Sequence, residues 1–250
     1  MNTLALLVRE SHAETLKAAR MPAFAVPTLV LPLAFYALFG LVLAKPGAGN
    51  AGYLLATYGV FASLGPALFG FGAGIAAERE SGLLALKRIA PLPMPAYLGA
   101  KLATALVFTL VVLVGLYSLA AWVGGVQLPR SAWLTLLVVH LAGAVPMGLL
   151  GLLVGLRFGS SGAMGVTNVL FLALAVLGGL WFPAFLFPGW MQTLTLGMPT
   201  YHLAELALAV TGRRIAGAPW VHGLVLAGFT AVLAFAVLHA WRAAWRGGGR

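Results

Sequence analysis

AAERESGLLALKRIAPLPMPAYLGAK, residues 76–101, is the densest run of charge in a chain only 8% charged. It holds the basic residues Arg79, Lys87, Arg88 and Lys101 and the acidic residues Glu78 and Glu80. A long apolar run lies on each side of it. Charge of this kind collects where a membrane protein meets water. The run starts in helix-compatible sequence and then breaks at Pro91, Pro93 and Pro95. Proline cannot continue a helix, and it drives the preceding residue toward extended backbone. The reading is a short helix outside the bilayer, then a stiff turn back into it, offering a handle that another protein can grip.

The surrounding composition sets the class. The 250 residues are 62% apolar, against about 45–50% in ordinary soluble domains. The apolar residues come in long runs rather than in alternation, so the fold class is an all-α integral membrane protein rather than a barrel. A net charge of +10 would suggest nucleic acid in a soluble protein. Here the basic residues flank apolar spans, where they fix orientation, and no nucleic-acid partner is expected. Membrane lipid is. There is no cysteine, which removes disulfides and cysteine catalysis. No cleavable signal peptide is read, because charged residues from Arg9 to Arg20 occupy the place of its apolar core.

Read in order, the chain is expected to be one membrane unit, 1–250, with six transmembrane helices. Residues 1–21 are expected to form an amphipathic interfacial helix. On its wheel Arg9, Glu10, Glu14, Lys17 and Arg20 fall on one side, and Leu4, Leu7, Val8, Thr15 and Ala18 opposite. Spans are expected at about 22–44, 53–76, 98–122, 132–156, 163–185 and 219–241. The second ends in small residues, Gly70 and Gly74, suited to close helix approach. The fourth carries Gly151, Gly155 and Gly159 at four-residue spacing. Residues 76–97 form the cytoplasmic segment between spans two and three. Residues 181–218 are apolar but broken by Pro183, Pro188, Gly189, Gly197 and Pro199, which fits a helical hairpin dipping into the membrane from the outer side. Lys45, Arg130, Arg213 and Arg214 fall on one side of this topology, and the other eleven of the fifteen basic residues on the opposite side. The positive-inside rule then makes both termini and the charged segment cytoplasmic.

Candidate chemistry is sparse. There is no phosphate-cradling Gly-x-x-x-x-Gly-Lys-Ser/Thr loop, no zinc-type histidine pair and no Gly-x-Ser-x-Gly turn. No catalytic or metal site is expected. No acidic residue lies mid-span where an ion-coupled carrier would need one, so the energy for transport has to come from elsewhere. His140 could face a cavity, although a lone histidine on a helix is more often packed and neutral. Asn168 could bond to a neighbouring helix. Phe182, Phe185, Tyr201, His202 and Glu205 could line a substrate route or gate. The aromatics equally fit an interfacial belt, and Glu205 a solvated position.

The sequence resembles the membrane (permease) subunit of type 2 ATP-binding-cassette exporters. Glu78-Arg79-Glu80-Ser81-Gly82-Leu83, then Pro91-Leu92-Pro93 and Leu98-Gly99-Ala100-Lys101, are similar to that family's acidic-basic-acidic run, its proline and the Gly-Lys entering the third span. Phe182-Pro183, Pro188-Gly189-Trp190-Met191 and Met198-Pro199-Thr200-Tyr201 are similar to its outer pattern, with Met198 where asparagine is usual. The amphipathic start running into Pro22 is the third likeness. The resemblance implies a coupling helix carried by Glu78, Arg79, Glu80, Ser81, Gly82, Leu83, Lys87 and Arg88, which docks a separate ABC ATPase subunit. ATP and magnesium would sit on that partner, and this chain would bind no cofactor. It implies a second permease copy, identical or different, with the route between second and fifth spans. It also implies export of a hydrophobic small molecule, such as a drug or antibiotic, or of a lipid. The Ala-, Gly- and Arg-rich usage points to a bacterial inner (plasma) membrane. The rivals are a membrane-embedded lipid-modifying enzyme and a non-transporting assembly or anchor subunit.

Overall fold

The computed structural model describes residues 3–43, 50–89 and 93–246. The first turn (Lys45, Pro46), the Pro91-Leu92 pair and the terminal Arg250 lie outside them. The described residues are helical, and six helical runs are long and apolar enough to cross a membrane. They are Pro22–Val42, Ala51–Glu80, Met94–Trp122, Arg130–Arg157, Ser160–Leu177 and Pro219–Arg242.

The bounds follow local chemistry. Helix α1 (Thr3–Ala19) precedes α2 (Pro22–Phe35), with Pro22 at its first turn, where a missing N–H costs nothing. Pro27 and Pro32 lie inside α2, and the span finishes as a π-helical segment, Tyr36–Val42. The second span runs through α3 (Asn50–Phe71) and, past a break at Gly72, α4 (Ala73–Glu80). It therefore carries Glu78, Arg79 and Glu80 on its own last turns rather than on a separate outer helix. Past Gly72, nothing before Ser81 stops the helix. Gly82, at φ +75°, adopts a left-handed conformation open to glycine, and α5 (Leu83–Ile89) starts after it. Helix α6 (Met94–Trp122) is the third span. The fourth is split into α7 (Arg130–Ala142) and α8 (Ala144–Arg157), because Pro146 lacks an N–H and its ring crowds the Ala142 carbonyl. Span five, α9 (Ser160–Leu177), stops well before the expected 185. Leu180 N–H reaches back to the Ala175 carbonyl, and Gly179 sits at φ +69°, the arrangement by which glycine ends a helix. Then follow α10 (Gly189–Thr195), α11 (Pro199–Val210) and the last span α12 (Pro219–Arg246).

Helix α3 is the hub. It packs on α6, α8, α11 and α9, and 78% of its most apolar window is buried, against 22% in α9 and 17% in α12. The seam between the second and fourth spans is made by glycine. A Cβ on Gly151 would lie 2.6 Å from the Leu68 carbonyl oxygen, and one on Gly155 would lie 2.7 Å from that of Gly72. The spacing in span four thus marks a close approach. In span two the tight residues are Gly59, whose Cβ would lie 2.0 Å from His140 Cε1, and Gly72, whose Cβ would meet Thr167 Oγ1 at 2.7 Å, whereas Gly70 has open space around it and Gly74 meets only its own span. Gly151→Ala should therefore destabilise the bundle by about 1–3 kcal/mol, because the obstructing atoms are backbone. Thermal unfolding in detergent checks this against Gly228→Ala, which meets nothing and should leave the midpoint unchanged.

Candidate functional site

The charged ends of four elements meet on one side of the bundle. Glu14 of α1 and Glu78 of α4 both accept from the Lys101 ammonium of α6, at 2.7 and 2.6 Å. The other Glu78 oxygen accepts from the Tyr97 hydroxyl at 2.6 Å, and Lys17 also donates to Glu78. Lys87 of α5 donates to Glu10 at 2.5 Å and to Glu14 at 2.7 Å. Glu14, Glu78 and Lys101 are only 7%, 3% and 7% exposed. Three lysines thus face three glutamates, and those are three of the five acidic residues in the chain. A buried charge is tolerable only with partners of this kind.

This cluster splits the expected charged side of α1, with Arg9, Lys17 and Arg20 still exposed. Glu10 and Glu14 face the bundle, while Leu4, Val8 and Leu16 are exposed. The reason is the lysines on α5 and α6, which give the two carboxylates better partners than water. Burial alone would raise the Glu14 carboxyl, but the charge and hydrogen bonds of Lys101, with Lys87, outweigh it and hold it below its ordinary range. Burial likewise would lower the Lys87 ammonium, but the hydrogen bonds of Glu10 and Glu14 raise it instead.

The remaining residues of the charged segment divide by role. Arg79 donates to the Leu156 and Phe158 carbonyls at 2.5 and 2.6 Å, closing the C-terminal end of α8 as a basic residue should. Glu80 and Ser81 are exposed, Gly82 makes the turn, and Leu83 is half-buried. Along α5, Leu86 and Ile89 stand out at 63% and 84% exposure. Of the expected docking set, Glu78, Arg79 and Lys87 therefore face the protein, and Glu80 and Ser81 face outward. Leu86 and Ile89, outside that set, are apolar and exposed.

The expected route residues do not form one site. His140 is fully buried in the bundle. Its Nε2 donates to the Ala56 carbonyl, leaving Nδ1 for the Tyr117 hydroxyl at 2.9 Å. It is a satisfied, packed residue. Asn168 lies on the exposed face of α9 and donates to Met164 O of its own helix, not to a neighbour. Phe182 and Phe185 are exposed. Tyr201, His202 and Glu205 come together on α11. A cleft of about 720 Å³ is lined there by Tyr53, Phe185, Tyr201, Glu205, Arg213 and Arg214, among others. Glu205 accepts from the Ala216 N–H at 2.7 Å. His202 and His222 of α12 are buried and meet through their Nδ1 atoms at 2.9 Å. Sequence reasoning missed Glu14, Lys101 and His222. The signal for the first pair was a lysine inside an apolar span of a chain with only five acidic residues.

Lys101→Met should cost about 3–5 kcal/mol, since it takes from two buried carboxylates the one buried cation they share. Lys17→Met, at a half-exposed residue, should cost less. Acid should loosen α1 as well. Glu14 contributes stability that is complete above the usual carboxylate range of about 4 and is lost as pH falls through its lowered value. Proteolysis of α1 against pH should show this acid-side loss in the parent chain and not in Glu14→Gln.

Two comparisons with known proteins bear on this geometry. The family model described as "ABC-2 type transporter" matches residues 5–211. The chain is 30% identical over 204 residues to the Bacillus subtilis (strain 168) protein named "Putative transport permease YvfS", covering 80% of this chain and 83% of that one.

Proposed function

The chain belongs to the ABC-2 type transporter family, a multi-pass membrane protein and transmembrane transport subunit of an ABC transporter, and we propose that it is an exporter permease driven by a separate ATPase through α4 and α5. The observation that carries this reading is the pair Leu86 and Ile89. They are exposed and apolar, and lie just beyond the end of a span whose last turns are pinned by Glu78 to Lys101 and by Arg79 to α8. An apolar knob on a rigid backing is what a docked ATPase needs to push. Glu80 and Ser81 rim it, and Glu78, Arg79 and Lys87 hold it from behind. ATP and magnesium belong to the partner.

The rest of the reading keeps the topology of the charge count. Both termini and α5 lie on the cytoplasmic side of a bacterial inner membrane. Helix α1 rests in the interface with Leu4 and Val8 toward lipid, and residues 181–218 form the outer re-entrant segment. A second copy, identical or different, packs against the open side of spans two and five. Gly70 has open space on one, and Gly165 and Asn168 are exposed on the other. Small residues let backbones approach, and an amide can bond across. The substrate is a hydrophobic small molecule or a lipid, in keeping with spans nearly bare of ionisable groups. The enzyme rival loses its candidates, because the polar atoms of His202 and the Oε2 of Glu205 are engaged in bonds within the fold.

Copurification from mild detergent tests the motor. The tagged chain should bring down an ATPase in comparable amount, and Leu86→Asp with Ile89→Asp should abolish that while six-span insertion persists. Glu80→Lys should impair coupling to ATP hydrolysis with insertion intact. An ATPase retained by the double variant, with unchanged substrate-stimulated hydrolysis, overturns the docking surface. Retained ATPase binding without transport would instead favour the assembly-subunit reading.

A further inference from the structure

The histidine pair on the outer side has a proton count that its geometry dictates. His202 Nε2 lies 2.9 Å from the Leu196 carbonyl, and His222 Nε2 lies 2.8 Å from the Ala216 carbonyl. A carbonyl oxygen only accepts, so both Nε2 atoms carry hydrogen. In two neutral rings both Nδ1 atoms would then be bare lone pairs. Yet those atoms are 2.9 Å apart, a hydrogen-bond distance. The ring centroids are 5.1 Å apart, only 2.2 Å more than the nitrogens. Both Nδ1 atoms therefore lie nearly on the line between the rings, so the lone pairs meet head-on.

Head-on geometry decides what sits between them. A metal ion needs about 2.0–2.1 Å to each nitrogen, and the midpoint here is far closer than that to both. A hydrogen fits. We infer that His202 and His222 hold one proton between their Nδ1 atoms, so that the pair carries a single positive charge and fastens α11 to α12 only in that state. With no shared proton, two lone pairs repel. With two, two N–H groups and two charges repel. Only the singly protonated pair is bonded.

The surroundings are otherwise short of titratable groups. Tyr201 stacks edge-on to both rings, at 5.3 and 6.1 Å. Glu205, three residues after His202, is tied to the Ala216 N–H, and Ala216 carries the carbonyl that receives His222. Arg213 and Arg214 lie in the intervening turn and line the adjoining cleft with Tyr53 of α3. On the other elements packed against α11, α3 adds Tyr58 and α7 adds Arg130 and His140, while α9 has no titratable residue, and α8, packed on α12, adds Arg157 at its C-terminal end. Along α12 the further such residues whose side chains are described are His239 and Arg242, toward its opposite end. The link thus runs from Glu205 through the 211–218 turn and the two histidines to Leu196, closing the outer segment onto the last span. It stands whether or not the chain exports anything.

The test is nitrogen-15 NMR of the full chain, labelled at histidine, in lipid nanodiscs across the pH range. The expected result is a window in which both Nε2 atoms are protonated and one hydrogen is shared by the two Nδ1 atoms. Hydrogen exchange across 211–222 should be slowest in that window and speed up on either side. His222→Gln should lose this bell-shaped dependence. Two bare Nδ1 atoms, or two independently protonated ones, at every pH would overturn the inference. So would loss of both Nδ1 signals to stoichiometric zinc, which would assign the pair to a metal. The measurement on the parent chain is decisive even if the variant does not fold.

Discussion

A lysine inside an apolar span is the constraint from which the charged end of this protein follows. Lys101 cannot stay charged at its depth without carboxylates, and a carboxylate cannot be buried without such a cation. The third span is thereby obliged to draw Glu14 and Glu78 to it across 87 and 23 residues of chain. Helix α1 turns its acidic residues inward and leaves Leu4 and Val8 outside. The end of the second span is fixed where Glu78 can reach. Lys87 on α5 completes the set through Glu10 and Glu14. Every ion of the set but Glu10 has more than one partner, so the four elements are tied to one another rather than in separate pairs.

That arrangement explains why the segment 76–89 is stiff although it lies at the edge of the bundle. Its inward side chains are spent on ion pairs and on the carbonyls of α8. Its outward ones, Glu80, Ser81, Leu86 and Ile89, have no such duty. A surface that must receive force benefits from this division, since displacement of α5 becomes displacement of α4, α6 and α1 together.

The spans were legible because hydropathy and length carry that information directly, whereas the breaks at Gly82 and Pro146 went unread. What sequence reading could not supply was partnership. Nothing local says that Glu14 faces Lys101, so the wheel of α1 put its acidic residues toward water. Span two was cut short because charge alone was taken to end it, whereas helix geometry continues until a residue able to adopt positive φ. The four-residue glycine spacing in span four was informative, and the same spacing in span two was not: Gly70 has open space around it while Gly72 makes the contact. Spacing names a face of a helix, but only the neighbour decides which face is used. His222 escaped notice because a histidine near the start of an apolar helix looks like many others until a second imidazole is set against it.

The two sides of the protein are held by bonds of different strength. Breaking a buried ion pair around Lys101 costs about 3–5 kcal/mol. At the opposite end, the segment around α11 carries the Thr200 hydroxyl on the Leu174 carbonyl, Ala216 on Glu205 and the histidine pair. Hydrogen bonds of that kind contribute about 0.5–1.5 kcal/mol each, more where one partner is charged. Those hydrogen bonds are not all that holds α11, because Leu203, Ala204, Ala207 and Leu208 are buried in the main core; the polar contacts orient the segment and the apolar packing secures it.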